Sequence, residues 1–425
     1  MLRCLLVFCI FAMPSAVCSA DEIVLQAAEG LQWRRGNLHT HSHWSDGDDY
    51  LESIAVWYRD QGYDFLVFTD HNVLADSERW ERVDQTKGGR PAFERLKRLF
   101  PGWVEERSAG GATEVRLRRF AEVAEKLNRP ESFLLIQGEE ISDAFGQAPI
   151  HLNVGNVQKL IRPRHGRDVF ETIQNNVRAA NEQREETGQP LLVHLNHPNF
   201  GYAVTAEDLM RVQGERFFEV YNGHPSVHNH GDAQHAGTEK IWDIVLAHRL
   251  AVFDLPLMYG IAVDDGHDYH EIPSRKSNPG RGWVQVLAEE LKAGPLIQAM
   301  ERGHFYASSG VSLKRITAGE KDLTVEVDPQ PGESYTIEFI GTRAGVDLTG
   351  EAVVGEDGKP LRATRRYSEK VGEILSRSVG ARATYTFAGD ELYVRARVTS
   401  SAPHPNPSEP GDFKQAWVQP VAVAR

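Results

Sequence analysis

The feature that most constrains the fold of this sequence is an alternation between about Gly36 and Gly310. Short apolar runs, of the length of buried strands, are separated by longer amphipathic stretches with helical spacing. Seven strands are predicted, at residues 37–39, 65–69, 133–137, 151–154, 191–196, 217–221 and 260–263. Helices are predicted at residues 50–61, 115–127, 167–182, 239–247 and 294–302. This repetition predicts an α/β fold with a parallel sheet, either a barrel or a doubly wound sheet, and seven strands favour the barrel.

The pattern changes after about residue 312. Segments 323–327, 335–341, 383–388 and 391–398 alternate with period two and are separated by Gly, Pro and Asp. They predict a small antiparallel β-sandwich over residues 312–425. Residues 400–412 carry four prolines and are predicted to form a loop. Residues 76–112 read as a charged insertion whose large apolar side chains predict a helical lid or flap.

Residues 1–20 have the three-part layout of a secretory signal peptide, with Arg3, an apolar run and the small residues before Asp21. A membrane anchor is the alternative, but the run is shorter than the roughly 20 residues that a span needs. Lipid attachment at Cys18 is disfavoured, because the usual leading Leu is missing. We therefore expect an exported protein, periplasmic or extracellular, with no membrane span and a first domain over residues 21–311.

All three cysteines lie in this leading segment. The mature chain would then form no disulfide and offer no thiolate, so a bound metal would need nitrogen and oxygen ligands. The net charge of −13 at pH 7 disfavours a nucleic-acid partner. It does not exclude a small anionic substrate, because bound metal ions dominate the local field.

Histidines and carboxylates recur where the predicted strands end. His39 and His41 are two residues apart, so in a strand both point to the same side, and Asp46 follows in a loop that can fold back to them. The other strand ends carry Asp70 and His71, Glu139 and Glu140, His194 and His197, and Asp264, Asp265 and His267, while His151 stands at a strand start. In a parallel barrel such ends meet at one mouth, where the chemistry is found.

Taken singly, each of these residues is best interpreted as a hydrogen-bonded polar residue at the start of a loop. Together, so many ionisable groups in one cavity would repel each other or stay unpaired unless cations neutralised them. The set therefore predicts a metal cluster. Ligands of nitrogen and carboxylate oxygen fit Zn²⁺, Mn²⁺ or Fe²⁺ and disfavour Ca²⁺.

The motif series resembles the polymerase-and-histidinol-phosphatase (PHP) superfamily over about residues 37–310. The segments that carry the resemblance are His39-Thr40-His41, Ser45-Asp46-Gly47, Thr69-Asp70-His71, Gly138-Glu139-Glu140, His197-Pro198 and Asp265-Gly266-His267. The leading segment, residues 305–310 and the predicted sandwich resemble its secreted branch, which includes carbaryl-hydrolase-like enzymes. The resemblance implies a distorted (β/α)7 barrel with two or three divalent ions.

The resemblance also implies the ligands. His39, His41 and Asp265 would hold one ion, Asp46, His71 and His267 a second, and His151 and His197 a third, with Glu140 bridging two ions. The Gly-x-Glu pattern selects Glu140 over Glu139, and the His-Pro pair selects His197 over His194. Glu140, Asp265 and His267 are also expected to take part directly in catalysis.

Four further residues are candidates for binding the substrate: Asn72, Asn222, His224 and Arg281. Glu219, Asn222 and His224 lie at the end of the sixth predicted strand. All three are equally well interpreted as residues behind the ligands or in contact with substrate, or only as capping residues. Arg281 could grip a phosphate or carboxylate, and a salt bridge is an equal alternative.

The expected function is that of a metal-dependent hydrolase. A hydroxide bridging two cations would be the nucleophile, and the cations would stabilise the developing charge. Without Gly-x-Ser-x-Gly and without a mature Cys, a covalent mechanism loses support. A small phosphoester is the favoured substrate. Hydrolysis of a carboxylic ester, carbamate or amide is the alternative, and a non-catalytic binding protein is the third.

Overall fold

The computed structural model describes residues 23–423. The predicted signal peptide lies outside these residues. Seven helices occur within the described range: α1 Leu51–Asp60, α2 Gly89–Leu99, α3 Phe120–Leu127, α4 Val169–Thr187, α5 Ala206–Leu209, α6 Thr238–Ala251 and α7 Ala293–Glu301.

The same range contains twenty strands, which with the helices make a mixed α/β fold. They are β1 Ile23–Gln26, β2 Gln32–Asn37, β3 Phe65–Phe68, β4 Arg79–Arg82, β5 Glu106–Ala109, β6 Ala112–Leu117, β7 Leu134–Phe145, β8 Ala148–Gly155, β9 Leu192–Leu195, β10 Phe217–Asn222, β11 Tyr259–Val263, β12 Trp283–Ala288, β13 Phe305–Ser308, β14 Leu313–Ala318, β15 Asp322–Val327, β16 Tyr335–Arg343, β17 Glu373–Val379, β18 Arg382–Thr386, β19 Glu391–Pro403 and β20 Phe413–Ala422. The predicted α/β class is confirmed.

Thirteen strands form one sheet in the order β11-β10-β9-β8-β7-β3-β2-β12-β13-β20-β19-β16-β17. β2, β3 and β7 are mutually parallel, and so are β9, β10 and β11. All four residues of β3 are buried, which is typical of a parallel strand covered on both faces. Apolar side chains of α4, including Ile173 and Val177, pack against the side chains of β8 in the largest core.

β8 runs antiparallel to both of its neighbours. β7 and β8 form a hairpin that turns at Gly146, in the left-handed region at φ +61°. We expected the strand now numbered β7 to end before Glu140, which is wrong. The strand continues through Gly138. A Cβ atom at this position would lie only 2.8 Å from the Val67 side chain. Because β8 runs in reverse, His151 near its start lies at the same end of the sheet as the C-terminal ends of the parallel strands.

The ladder of backbone hydrogen bonds between the described strands is not closed, since β11 pairs only with β10. At this edge the side chain of Gln419, from β20, takes the place of a neighbouring strand. Its Nε2 donates to the Gly260 carbonyl at 2.8 Å, and its Oε1 accepts from the Gly260 N–H at 3.0 Å. The distorted seven-stranded barrel therefore stays a prediction.

The C-terminal strands do not stand apart from the first sheet. β20 pairs with β13, so the large sheet runs on into β19, β16 and β17. A second sheet, in the order β1-β14-β15-β18, packs on this end of it through a shared apolar core. The predicted boundary gave residues 21–26 to the first domain, whereas β1 pairs with β14 and lies in the second sheet. Two sheets thus face each other as a sandwich would require, but one of them is continuous with the sheet that contains the parallel strands.

The insertion at residues 76–112 is only partly helical. Its helix α2 packs Phe93 and Leu96 against Trp44 and Tyr50. The rest forms a three-stranded sheet in the order β4-β6-β5. The predicted helix over 115–127 is wrong at its start, because residues 112–117 form β6, which pairs with β4 and β5, and α3 begins only at Phe120.

Candidate metal centre

His39 and His41 stand directly after β2 and face the same cavity. Both imidazoles are fully buried. The chain then folds back tightly through Gly47, where a Cβ would lie only 2.4 Å from the His41 carbonyl oxygen. This close approach brings Asp46 to the mouth, with Oδ1 3.8 Å from His41 Nδ1. The loop is held by Asp70, which accepts from the Ser42 N–H at 2.8 Å.

Glu140 lies at the centre of the histidines, with its two carboxylate oxygens facing different groups. Oε2 lies 3.5 Å from His39 Nε2, 3.3 Å from His41 Nε2 and 2.8 Å from His71 Nδ1. Oε1 lies 2.9 Å from His151 Nδ1 and 3.5 Å from His197 Nε2. A carboxylate in this position can contact two cations at once.

Asp265 lies on the far side of His39 and His41, with Oδ1 3.2 Å from His39 Nε2 and 3.3 Å from His41 Nε2. Its backbone is in the left-handed region at φ +51°, a conformation that costs free energy for a residue with a side chain. Asp46 Oδ1 is 3.6 Å from His71 Nε2 and 3.3 Å from His267 Nε2. All nine side chains that the sequence pointed to as ligands therefore meet in one cluster.

Glu139 faces the other side of β7. Its Oε1 accepts from the Ile161 N–H at 2.7 Å. Burial raises the pKa of Glu139 to about 8. Burial would raise the pKa of Glu140 as well, but the adjacent histidines His71, His151 and His39 hold it well below its usual range. The structure therefore places the ionised one of the two neighbours in the cluster.

Three ligand-type atoms of the cluster are buried without hydrogen-bond partners. His39 Nε2, His41 Nε2 and Glu140 Oε2 converge on one point, and none of them has a donor or acceptor within hydrogen-bond geometry. Unpaired buried polar atoms are costly in a folded protein. A divalent cation would satisfy all three, so these residues fit a metal ion.

In two histidines, the hydrogen-bond partner of one ring nitrogen determines that the other nitrogen faces the cluster. His267 Nδ1 lies 2.9 Å from the Asp265 carbonyl oxygen, which can only accept, so Nδ1 carries a proton, while Nε2 faces Asp46 Oδ1 at 3.3 Å. His39 Nδ1 lies 2.7 Å from Glu219 Oε1, which leaves its Nε2 directed at the cluster in the same way.

Arg281 does not face the cluster, contrary to its expected role in binding substrate. It is fully buried, and its guanidinium donates to the carbonyl oxygens of Gly223 at 2.7 Å, Ser274 at 2.7 Å and Asn406 at 3.2 Å. Arg281 therefore ties together three backbone segments, and these donors are not available to a substrate.

Asn222 is also buried, and its side-chain amide is already hydrogen-bonded. Its Nδ2 donates to Glu219 at 2.8 Å and to Asp265 Oδ2 at 3.1 Å, which makes it a support for the cluster. His224 and Asn72 remain at the mouth. The His224 ring lies 5.7 Å from that of His267, and Asn72 is exposed, with its amide paired to the backbone of Ser142.

Sequence reasoning missed Asn196, which donates to Glu140 Oε1 at 2.7 Å. Its place between His194 and His197 was the available signal. His194 does not contact Glu140; its Nε2 lies 3.3 Å from Glu219. In the loop after β10, His235 stacks on Tyr202 with ring centroids 3.7 Å apart, and His230 pairs with Asp412. Among the described residues no group able to hold a metal was found in that loop.

No protein-family model and no curated protein sequence matches this chain. Solved structures do show similarity. A two-domain protein from Bacteroides vulgatus, containing a predicted PHP-like metal-dependent phosphoesterase, is 14% identical over 92% of this chain and 96% of its own, with a TM-score of 0.38. A candidate metal-dependent phosphoesterase from Bifidobacterium adolescentis is 13% identical over 56% and 89%, with a TM-score of 0.30. An amidohydrolase from Chromobacterium violaceum with bound sulfate is 12% identical over 55% and 88%, with a TM-score of 0.28. These similarities are too low to assign the chain to a family or a function.

Within residues 23–423, no helix combines the length and the apolar character that crossing a bilayer requires.

Proposed function

We propose that this protein is a metal-dependent hydrolase and that the cluster around Glu140 is its active site. The observation that carries the proposal is the convergence of unpaired, buried His39 Nε2, His41 Nε2 and Glu140 Oε2. We further propose that the chain is a PHP-type barrel with a C-terminal sandwich, related to the secreted, carbaryl-hydrolase-like branch.

The cluster would hold two or three ions of Zn²⁺, Mn²⁺ or Fe²⁺. Bound there, the ions would lower the pKa of coordinated water and polarise an oxygen of the substrate. The side chains of the cluster would hold these ions. Glu140 offers an oxygen to each side of the cluster, Asp265 and Asp46 add negative charge, and the histidines orient their lone pairs inward.

A small phosphoester is the favoured substrate, because several cations in one site match the charge of a phosphoryl group. One observation favours the alternative of a carboxylic ester, carbamate or amide. Arg281, the cationic side chain expected to grip a phosphate, is used up by backbone carbonyls. On either reading, His224 at the mouth is the residue that we propose to contact the substrate, because both polar atoms of the Asn72 amide are paired with the Ser142 backbone.

The proposed site of action is the periplasm or the extracellular space, on the grounds of the signal-peptide pattern in residues 1–20. Export can be tested by N-terminal sequencing of protein secreted from a Gram-negative host. Cleavage near Asp21 is expected, and an intact Met1 in a soluble cytoplasmic form would count against export.

The activity is tested by screening purified, metal-reconstituted protein against phosphomonoesters, phosphodiesters, carboxylic esters and carbamates. Turnover of one class that disappears with chelator is expected. Turnover that resists chelation, or tight binding without turnover of any class, would contradict the proposal. The class that reacts decides between the two enzymatic alternatives.

A further inference from the structure

Glu219 is a carboxylate enclosed by the residues that stand behind the cluster. It lies in β10 and is fully buried. Its Oε1 is 2.7 Å from His39 Nδ1 and 3.3 Å from His194 Nε2. Its Oε2 accepts from the His197 backbone N–H at 2.7 Å and from Asn222 Nδ2 at 2.8 Å. Each carboxylate oxygen of Glu219 therefore has two close neighbours. Of these four groups, three belong to the cluster or contact it.

The contact with His39 determines which of its nitrogens can bind a cation. A buried ionised carboxylate can only accept, so His39 Nδ1 must carry the ring proton. The lone pair then sits on Nε2, which points at Glu140 and Asp265. Hydrogen bonding to a carboxylate also makes an imidazole a better electron donor to a metal.

The same carboxylate reaches two other ligands. Its bond to the His197 N–H fixes the backbone from which the His197 ring extends. Through Asn222, which donates to both Glu219 and Asp265 Oδ2, it fixes the rotation of the Asp265 carboxylate. One side chain thus orients His39, His197 and Asp265, which form one of the groups able to hold an ion.

We infer that Glu219 is the positioning residue of the metal cluster: it sets metal affinity by orienting His39, His197 and Asp265 without binding the metal itself. The inference rests on the proposed function. Loss of such a supporting contact typically weakens metal affinity by about 10- to 100-fold while the ligand set stays intact.

The test is a Zn²⁺ titration of metal-free protein in competition with a chromophoric chelator, which reports affinity and stoichiometry without any substrate. Glu219→Gln should bind as many Zn²⁺ ions as the wild type, with the weakest site loosened about 10- to 100-fold. Glu219→Asp, which keeps the charge, should recover part of the affinity and is the second variant in case the Gln protein folds poorly.

Glu215→Gln is the matched control. Glu215 is a buried carboxyl just before the start of β10, at the end of that strand away from the cluster, and it contacts the Phe217 N–H. The amide substitution at this buried position should leave Zn²⁺ affinity unchanged. Thermal melting of the metal-free variants separates loss of affinity from loss of folding.

Glu219 and His194 could instead be ligands of an ion together with His39, since their ligand atoms also lie close to one another. In that case His194→Gln and Glu219→Gln would each lose one equivalent of Zn²⁺, which would overturn the inference. Wild-type affinity in Glu219→Gln would overturn it as well and leave the proposed function standing. A wild-type protein that binds no Zn²⁺ would contradict both the inference and the proposed function.

Discussion

Arg395 of β19 and Asp243 of α6 form a bidentate, fully enclosed ion pair between the C-terminal strands and the helix that covers β10. Arg395 Nε and Nη2 each lie 2.8 Å from an oxygen of Asp243. The guanidinium also lies over the Trp242 ring, 4.7 Å from its centroid. The pair, together with the shared sheet, holds the C-terminal strands in a fixed place behind the candidate site.

Removal of Arg395 should destabilise the protein strongly. Arg395→Met keeps most of the length over Trp242 but leaves the Asp243 charge buried without its cationic partner, which typically costs about 3–5 kcal/mol. Urea unfolding followed by circular dichroism measures the change. Lys314→Gln, which breaks the more exposed pair with Glu326, should have little effect. Equal losses in both variants would mean that burial does not govern these pairs.

Glu52 of α1 should make stability depend on pH. Burial, with a smaller contribution from Asp49, raises its pKa to about 7, so the folded state prefers the protonated acid. Its contribution is complete below the usual pKa of about 4.3 and is lost as the pH rises through about 7. The unfolding free energy of Glu52→Gln, relative to that of the wild type, should therefore rise by on the order of 3 kcal/mol between pH 5 and pH 8. A difference that is constant from pH 5 to pH 8 would refute the assignment.

Substitution of Arg281 should affect folding rather than substrate binding. Arg281→Lys keeps the positive charge but cannot reach the carbonyl oxygens of Gly223, Ser274 and Asn406 together, because an ammonium lacks the guanidinium fork. Each buried carbonyl left unpaired costs about 1–3 kcal/mol. The unfolding free energy should fall while KM of the folded enzyme stays the same. The opposite result, a raised KM at unchanged stability, would restore Arg281 as a substrate-binding residue.

Glu140 and its neighbour Glu139 should respond very differently to neutralisation. Glu140→Gln keeps the shape but removes the charge that offsets the repulsion between two cations. One ion should be lost, and turnover should fall by roughly several orders of magnitude. Glu139→Gln changes a side chain that faces away from the cluster along β7, so metal content and turnover should stay close to those of the wild type. Steady-state kinetics and elemental analysis of both proteins provide the measurement. Full activity in Glu140→Gln with loss in Glu139→Gln would move the bridging role by one residue.

Local patterns predicted that histidines and carboxylates gather at one end of the strands, whereas the choice of the individual ligands came from the resemblance to the PHP superfamily. His39, His71 and Asp265 follow their strands closely, and the common end of parallel strands brings them together. The direction of β8 was not predictable in this way. The pattern of the four predicted strand residues 151–154 is the same in either direction, so the prediction put His151 at a strand start without explaining how it reaches the mouth.

Long-range pairing limited the rest of the prediction. Period-two alternation identified β15 and β16, but nothing local indicates that β20 joins β13 or that β1 joins β14. Likewise, the hydrogen-bond donors of Arg281 bind carbonyl oxygens that are far apart in sequence. No local motif indicates these partners, so Arg281 was predicted to bind the substrate. Asn196 acts through Glu140, and only its position beside His197 could have indicated this. Glu219 was a candidate for a place behind the ligands, but its contact with His39 is not visible in the sequence.

The central claim is that the buried histidines and carboxylates around Glu140 form a site for several metal ions. Elemental analysis of the wild-type protein, after gentle purification and reconstitution with Zn²⁺ or Mn²⁺, tests it most directly. The arrangement of Glu140, with one oxygen toward His39 and His41 and the other toward His151, predicts at least two equivalents of transition metal per chain. One equivalent or none after reconstitution would contradict the account.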